Sequence, residues 1–183
     1  MADILFGDAA PSGRLPITFP KSVDQLPPYE DYGMKGRTYR YMTEEPLYPF
    51  GFGLSFTEFE YSDLILSAQT IRENQPLTAR VTVTNTGDVA GEEVVQLYLT
   101  DVEASVEVPL FSLKGIERIR LRPGKSKDVE LTITTDMLQT FDDDGNLLLE
   151  KGTFRVTIGG ASPGQRVVAL GGAKALSAEF ILE

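Results

Sequence analysis

From about residue 61 onward, apolar and polar residues alternate in short runs. Leu77, Ala79, Val81 and Val83 alternate with Thr78, Arg80, Thr82 and Thr84, so a pleated strand here has one apolar face and one polar face. Val95, Leu97 and Leu99 repeat the device. Val129, Leu131 and Ile133 alternate with Glu130, Thr132 and Thr134, and Phe154, Val156 and Ile158 with Arg155 and Thr157. Leu176, Ala178, Phe180 and Leu182 form the last run. Adding 61–67 and 116–121 predicts about seven strands. Turn signals separate them: Asn85-Thr86-Gly87-Asp88, Arg122-Pro123-Gly124-Lys125, Asp144-Gly145-Asn146 and Ser162-Pro163-Gly164, with Gly and Asn supplying backbone conformations that other residues resist. No helical period is available to cover a sheet, so the apolar faces must close on a second sheet. The predicted fold class is all-β, a sandwich of immunoglobulin or fibronectin type III-like kind. The Cys pair and buried Trp of antibody domains are absent, which favours the fibronectin type III-like variant.

Before residue 60 the pattern changes. Seven of the 11 prolines lie between Pro11 and Pro49, and 12 of the 17 Phe and Tyr residues between Phe6 and Tyr61. The prolines interrupt every helix the segment would otherwise form, and the aromatics follow neither a period of 2 nor one of 3.6. Residues 1–55 are therefore expected to be an irregular tail that needs a neighbour to pack against, and 56–183 the sandwich. No internal repeat or low-complexity segment is visible.

Charge and composition remove several functions. Lys plus Arg total 17 against 27 Asp plus Glu, a formal charge of −10, and no basic run offers a footprint for phosphate backbones, so nucleic acid is not an expected partner. With no Cys and no His, cysteine nucleophiles, His-based triads and Cys/His zinc sites are excluded. No apolar run approaches the roughly 18 residues of a membrane span, and the first residues, Met1-Ala2-Asp3-Ile4-Leu5-Phe6, lack the basic start of an export signal. No membrane partner is expected, and the compartment is left open.

Several ordered stretches resemble one family. Leu5-Phe6-Gly7-Asp8, Pro11-Ser12-Gly13-Arg14-Leu15-Pro16, Thr18-Phe19-Pro20, Gly36-Arg37-Thr38-Tyr39-Arg40-Tyr41 and Pro49-Phe50-Gly51-Phe52-Gly53-Leu54-Ser55-Phe56-Thr57 are similar to the family 3 glycoside hydrolases, the β-glucosidases and β-xylosidases. Val83-Thr84-Asn85-Thr86-Gly87, Gly91-Glu92-Glu93-Val94-Val95-Gln96-Leu97-Tyr98 and Leu113-Lys114-Gly115 resemble that family's C-terminal fibronectin type III-like domain. The resemblance implies that 1–55 matches the end of the α/β-sandwich domain and its linker. It also implies that the family's catalytic groups, a barrel Asp in a Ser-Asp-Trp-like motif and a Glu of the α/β domain, have no counterpart here. Ser62-Asp63-Leu64 imitates the motif but falls in the first predicted strand.

The residues themselves agree. Retaining glycoside hydrolysis needs two carboxyl groups about 5–5.5 Å apart, one of them held protonated. Glu92 and Glu93 are neighbours on a strand and must point to opposite faces, and they read as a solvated strand start. Asp142, Asp143 and Asp144 sit beside Gly145-Asn146 in a turn, where water keeps carboxylates ionised. They also miss the spacing of a calcium loop, since counting from Asp142 puts Gly145 at the fourth position and Thr153 at the twelfth. Gly159-Gly160 and Gly171-Gly172 lack a following Lys-Ser/Thr and read as strand ends and turns. No catalytic residue, metal site or cofactor is expected.

The expected role is thus accessory: a segment that stabilises or orients the catalytic domains of a β-glycosidase, with those domains as its partner. The alternative is a carbohydrate-binding module in which Tyr39, Tyr41, Tyr48, Phe50 and Phe52 stack on sugar rings. Without its cover, the aromatic tail would also favour self-association.

Overall fold

Each expected alternation becomes a strand. The computed structural model describes residues 2–142 and 144–183. Asp143, the middle residue of the acidic turn, lies outside the described residues. Seven strands of seven residues or more are β1 (Phe59–Leu66), β3 (Leu77–Asn85), β4 (Gly91–Asp101), β5 (Ser112–Leu121), β6 (Ser126–Ile133), β9 (Gly152–Gly159) and β10 (Leu176–Leu182). Three two-residue strands join them: β2 (Thr70–Ile71), β7 (Thr140–Phe141) and β8 (Leu147–Leu148).

One sheet has the order β1-β3-β6 and the other β2-β10-β9-β4-β5, while β7 and β8 form a separate small ribbon. Every pairing is antiparallel except that of β2 with β10. The inward residues of both sheets share one core. Leu77, Ala79, Val81 and Val83 of β3 and Val129 and Ile133 of β6 are buried in it. Facing them are Val95, Leu97 and Leu99 of β4, Val156 and Ile158 of β9, and the stacked Phe154–Phe180 pair, centroids 5.7 Å apart. The molecule is mostly β, with a fibronectin type III-like pair of sheets.

Two expectations need correcting. The tail is not wholly irregular. It contains single turns of helix at α1 (Ala2–Leu5) and α2 (Thr38–Tyr41) and a 3-10 turn at Val23–Gln25, because each fits in a proline-free stretch: before Pro11, between Pro28 and Pro46, and between Pro20 and Pro27. A further short helix, α3 (Gln165–Ala169), follows Gly164, where only turns were expected. Ser62-Asp63-Leu64 lies within β1, at a register shift against β3 between Ser62 and Ile65. Asp63 there has φ +54, as the extra residue of a bulge often does. No helix among the described residues is long and apolar enough to cross a membrane.

Candidate functional site

The unusual strand is β4. Its inward residues are buried as expected, but the outward Val94, Gln96 and Tyr98 are also buried, Tyr98 to 1% exposure. The tail covers them as a third layer. Residues 15–19 and 48–52 run side by side: Leu15 N–H donates to Phe52 O at 2.9 Å, Gly51 N–H to Leu15 O at 2.8 Å and Phe19 N–H to Tyr48 O at 2.9 Å. This ribbon is tied down by Ser162 N–H, which donates to Phe50 O at 2.8 Å. The Gln96 amide adds donations to Gly51 O at 3.3 Å and Gly160 O at 2.6 Å, and accepts from the Tyr98 hydroxyl.

The close approach explains two glycines. Gly51 has φ +78, in the left-handed region, and a Cβ there would run into the Gln96 amide. Gly53 has no unusual φ, but its Cβ would meet the carbonyl oxygen of Gly13, which is backbone and yields only if the tail moves. Gly53→Ala is therefore expected to lower stability by about 1–3 kcal/mol, the usual cost of overpacking. A lowered urea midpoint with unchanged slope is the readout, and an unmoved midpoint would show the tail is not held at that distance.

At one end of the seam lies a buried polar triad. Arg14 Nη2 sits 2.9 Å from Glu93 Oε2, with the two side chains 11% and 6% exposed. Tyr61 donates its hydroxyl to Glu93 Oε1 at 3.2 Å. Burial pushes the Glu93 carboxyl above its ordinary value, opposed by the Arg14 charge and the hydrogen bonds from Tyr61 and Arg14. Burial likewise lifts Tyr61 well above the ordinary phenol value, and the Glu93 charge adds to it. Glu92, on the opposite face, takes Ser12 and Arg118 as partners at 3.3 and 3.2 Å. The pair does point to opposite faces, but Glu93 is not solvated: the reading of both as a wet strand start fails because a tail residue enters the sandwich to neutralise one of them. A cavity of about 180 Å³ adjoins the triad, bounded by Phe52, Gly160 and Val167 among others.

Chemically, the triad fastens. Each Glu93 oxygen has a partner, Arg14 on one and Tyr61 on the other, and the other carboxylate at this cavity, Glu58, is exposed. A second fastening joins the end of the tail to the β3–β4 turn. Thr57 donates its hydroxyl to Asn85 Oδ1 at 2.6 Å, while the fully buried Asn85 amide donates to Val89 O and Leu121 O. Among the described residues no group of three or more carboxylates is placed to hold a metal. Asp142 accepts from the backbone N–H groups of Asp144 and Asn146 and from the Asn146 amide. These bonds, the Asn146 side chain first, hold its carboxyl below the usual range.

Four of the five aromatic candidates, Tyr39, Tyr48, Phe50 and Phe52, fall on the seam. Phe52 is 5% exposed and stacks on Tyr48 with centroids 6.3 Å apart. Tyr39 stacks on Phe50 at 4.3 Å and meets Tyr98 edge-on at 5.9 Å. Tyr41 is half-buried with the Arg40 guanidinium 5.9 Å above its ring, and Tyr48 is exposed. Sequence reading missed Arg14, whose position in Pro11-Ser12-Gly13-Arg14 was the available signal. It also passed over Tyr29 and Tyr32, which are 88% exposed each.

Comparison with known proteins gives this geometry a context. Residues 1–56 match the glycosyl hydrolase family 3 C-terminal domain, and residues 93–162 the fibronectin type III-like domain. The chain is 45% identical over 171 residues to a periplasmic β-glucosidase of Salmonella typhimurium, and 44% identical over 165 residues to a putative β-xylosidase of Formosa agariphila. These alignments take in 87% and 88% of the chain, and in both cases 22% of the relative. Among solved structures, a β-glucosidase from Erythrobacter marinus superposes with a TM-score of 0.81 at 36% identity, covering 100% of this chain and 23% of that one. A β-glucosidase involved in saponin metabolism from intestinal bacteria gives 0.81 at 32% identity, covering 100% and 24%. The chain thus spans under a quarter of the length of these relatives, and it belongs to the family 3 glycoside hydrolases, corresponding to the end of their C-terminal domain followed by their fibronectin type III-like domain.

Proposed function

We propose that this chain is the non-catalytic accessory part of a β-glycosidase, dividing near residue 55 into a tail and a sandwich, and that it stabilises and orients the domains that cleave β-glycosidic bonds. The observation that carries the reading is the three-layer seam. Arg14 pairs with Glu93, Phe50 O accepts from Ser162 N–H and Phe52 packs on Ala161 and Val167, so these tail residues are committed to the sandwich. The first residues of the tail turn the other way: Leu5 and Phe6 are 78% and 83% exposed, an apolar end suited to a further domain. Burial, not bond-making, is then the mechanism.

The test is an assay of the purified chain on aryl β-glucosides and β-xylosides. The expected rate is that of a heat-inactivated sample, and turnover above it would sink the accessory role. The second reading, a carbohydrate platform at Tyr39, Tyr41, Tyr48, Phe50 and Phe52, is supported only by the exposure of Tyr48, which itself stacks on Phe52, because the other four rings are more deeply covered.

A further inference from the structure

The tail carries one built feature that the seam does not use. In the 27–37 loop, the Arg37 guanidinium donates to three carbonyls at once: Gly33 O at 3.0 Å, Pro28 O at 3.3 Å and Asp31 O. Two turns close inside it, with Asp31 N–H donating to Pro28 O and Arg37 N–H to Met34 O, both at 3.0 Å. Asp31 Oδ1 accepts from Gly33 N–H at 2.8 Å. At its end, Thr38 has φ +55. A β-branched residue in the left-handed region is strained, and such strain persists where surrounding contacts over-determine it. The Arg37 guanidinium, together with these turns, holds the loop in one shape.

What it holds out is a pair of tyrosines. Tyr29 and Tyr32 are 88% exposed, and neither ring packs on another aromatic ring among the described residues. Left to itself, a flexible segment would fold such rings onto the nearest apolar surface, because burying each would gain on the order of 2 kcal/mol. Here the clamp keeps them out. Between them in sequence stand Glu30 and Asp31, whose carboxylates accept hydrogen bonds only. The same two tyrosines line a groove together with Val23, Leu26, Pro28 and Arg37.

We propose that the 27–37 loop is a sugar-stacking element in which Tyr29 and Tyr32 take the faces of a neutral β-linked sugar ring. Rings of this kind present apolar C–H faces and a rim of hydroxyls, which match an open aromatic face beside carboxylate acceptors. A protein surface fits less well, since docking would have to desolvate Glu30, Asp31 and Lys35 together with the tyrosines. The preformed loop has already met the ordering cost that would otherwise weaken binding. The inference rests on the reading that the chain serves a β-glycosidase, and it moves the sugar contact from the covered seam rings to the uncovered loop.

Affinity electrophoresis in gels containing soluble β-glucan or xylan, titration with cellotetraose and xylotetraose, and sedimentation with insoluble cellulose distinguish a free oligosaccharide from a polysaccharide surface. The full chain is expected to bind at least one probe, Tyr29→Ala and Tyr32→Ala each to weaken it about fivefold or more, and the double variant to abolish it. Both residues are exposed, so the circular dichroism spectrum and unfolding midpoint should not move. Arg37→Gln keeps both rings, and should weaken binding while speeding tryptic cleavage after Lys35. Three results would overturn the proposal: no binding of any probe at millimolar concentration, full binding by the double variant, or a double variant that changes only the sedimentation coefficient, which would make the loop an interface between proteins. Turnover of an aryl glycoside would contradict the accessory role alone, whereas unimpaired binding by the double variant would contradict the stacking element alone.

Discussion

Arg14→Met is expected to destabilise the folded chain by about 3–5 kcal/mol, because it leaves the Glu93 carboxylate buried without its counter-charge. For a chain of this length that lowers the unfolding temperature by about 6–20 °C. The loss should depend on pH in a definite direction. Burial raises the Glu93 carboxyl in the folded chain, so the folded state holds this proton more tightly than the unfolded one. The group's contribution to stability is full below its unfolded value and falls as pH rises through its raised folded value. Without Arg14 the folded value rises further and the fall becomes larger. The variant should therefore lie near the wild type in acid and diverge as the pH approaches neutrality. Pairing it with Glu93→Leu removes the stranded charge and should recover much of the loss, the non-additivity expected of two residues in contact. Equal losses at pH 4 and pH 8 would mean that the ion pair does not hold the tail.

Phe52→Ala is the second large effect. The ring is buried against Ala161, Val167 and the partly buried Leu170 and stacks on Tyr48, so its removal costs the transfer term and opens a cavity, about 3 kcal/mol at the low end of the usual range for Phe. The low end applies because the seat lies at a seam, where the tail relaxes more easily than a sheet does. Thermal unfolding should remain a single cooperative transition at a lower temperature, since tail and sandwich share this cluster. If the tail were an independent appendage, the variant would leave the sandwich transition where it was and only quicken tryptic cleavage after Lys21 and Lys35.

How far the molecule could be read from sequence follows from where each residue's partner lies. The sandwich was legible because a strand's burial is written in its own alternation: Leu77 to Val83 face the core for the same reason they alternate with Thr and Arg. The seam was not, because its partners are remote. Glu93 and Arg14 are 79 residues apart, and nothing local distinguishes a carboxylate at a wet strand start from one met by an incoming guanidinium. Gln96 and Tyr98 carried the signal that was overlooked. On a two-layer sandwich their face would be solvated, and a large aromatic beside an amide on that face implies a cover. The resemblance to family 3 hydrolases identified the tail's motifs, yet only the structure gives their physical reason, with Gly51 and Gly53 required by close approach and Thr57 meeting Asn85. Tyr29 and Tyr32 were passed over because they lie outside the aromatic clusters around Tyr39 and Phe50, and exposure is not a property of composition.

Amide hydrogen exchange on the intact chain tests the central claim most directly, that the tail is a third layer of the sandwich and not a loose leader. The N–H groups of Leu15, Phe19, Gly51 and Ser162 each donate within the tail ribbon or across the seam, while the core strand β3 supplies the global reference. The account predicts that these four amides exchange slowly, through openings approaching the global unfolding free energy, and that Arg14→Met brings them down together. Exchange at the rate of an unstructured peptide in the wild-type chain, with β3 still protected, would contradict it.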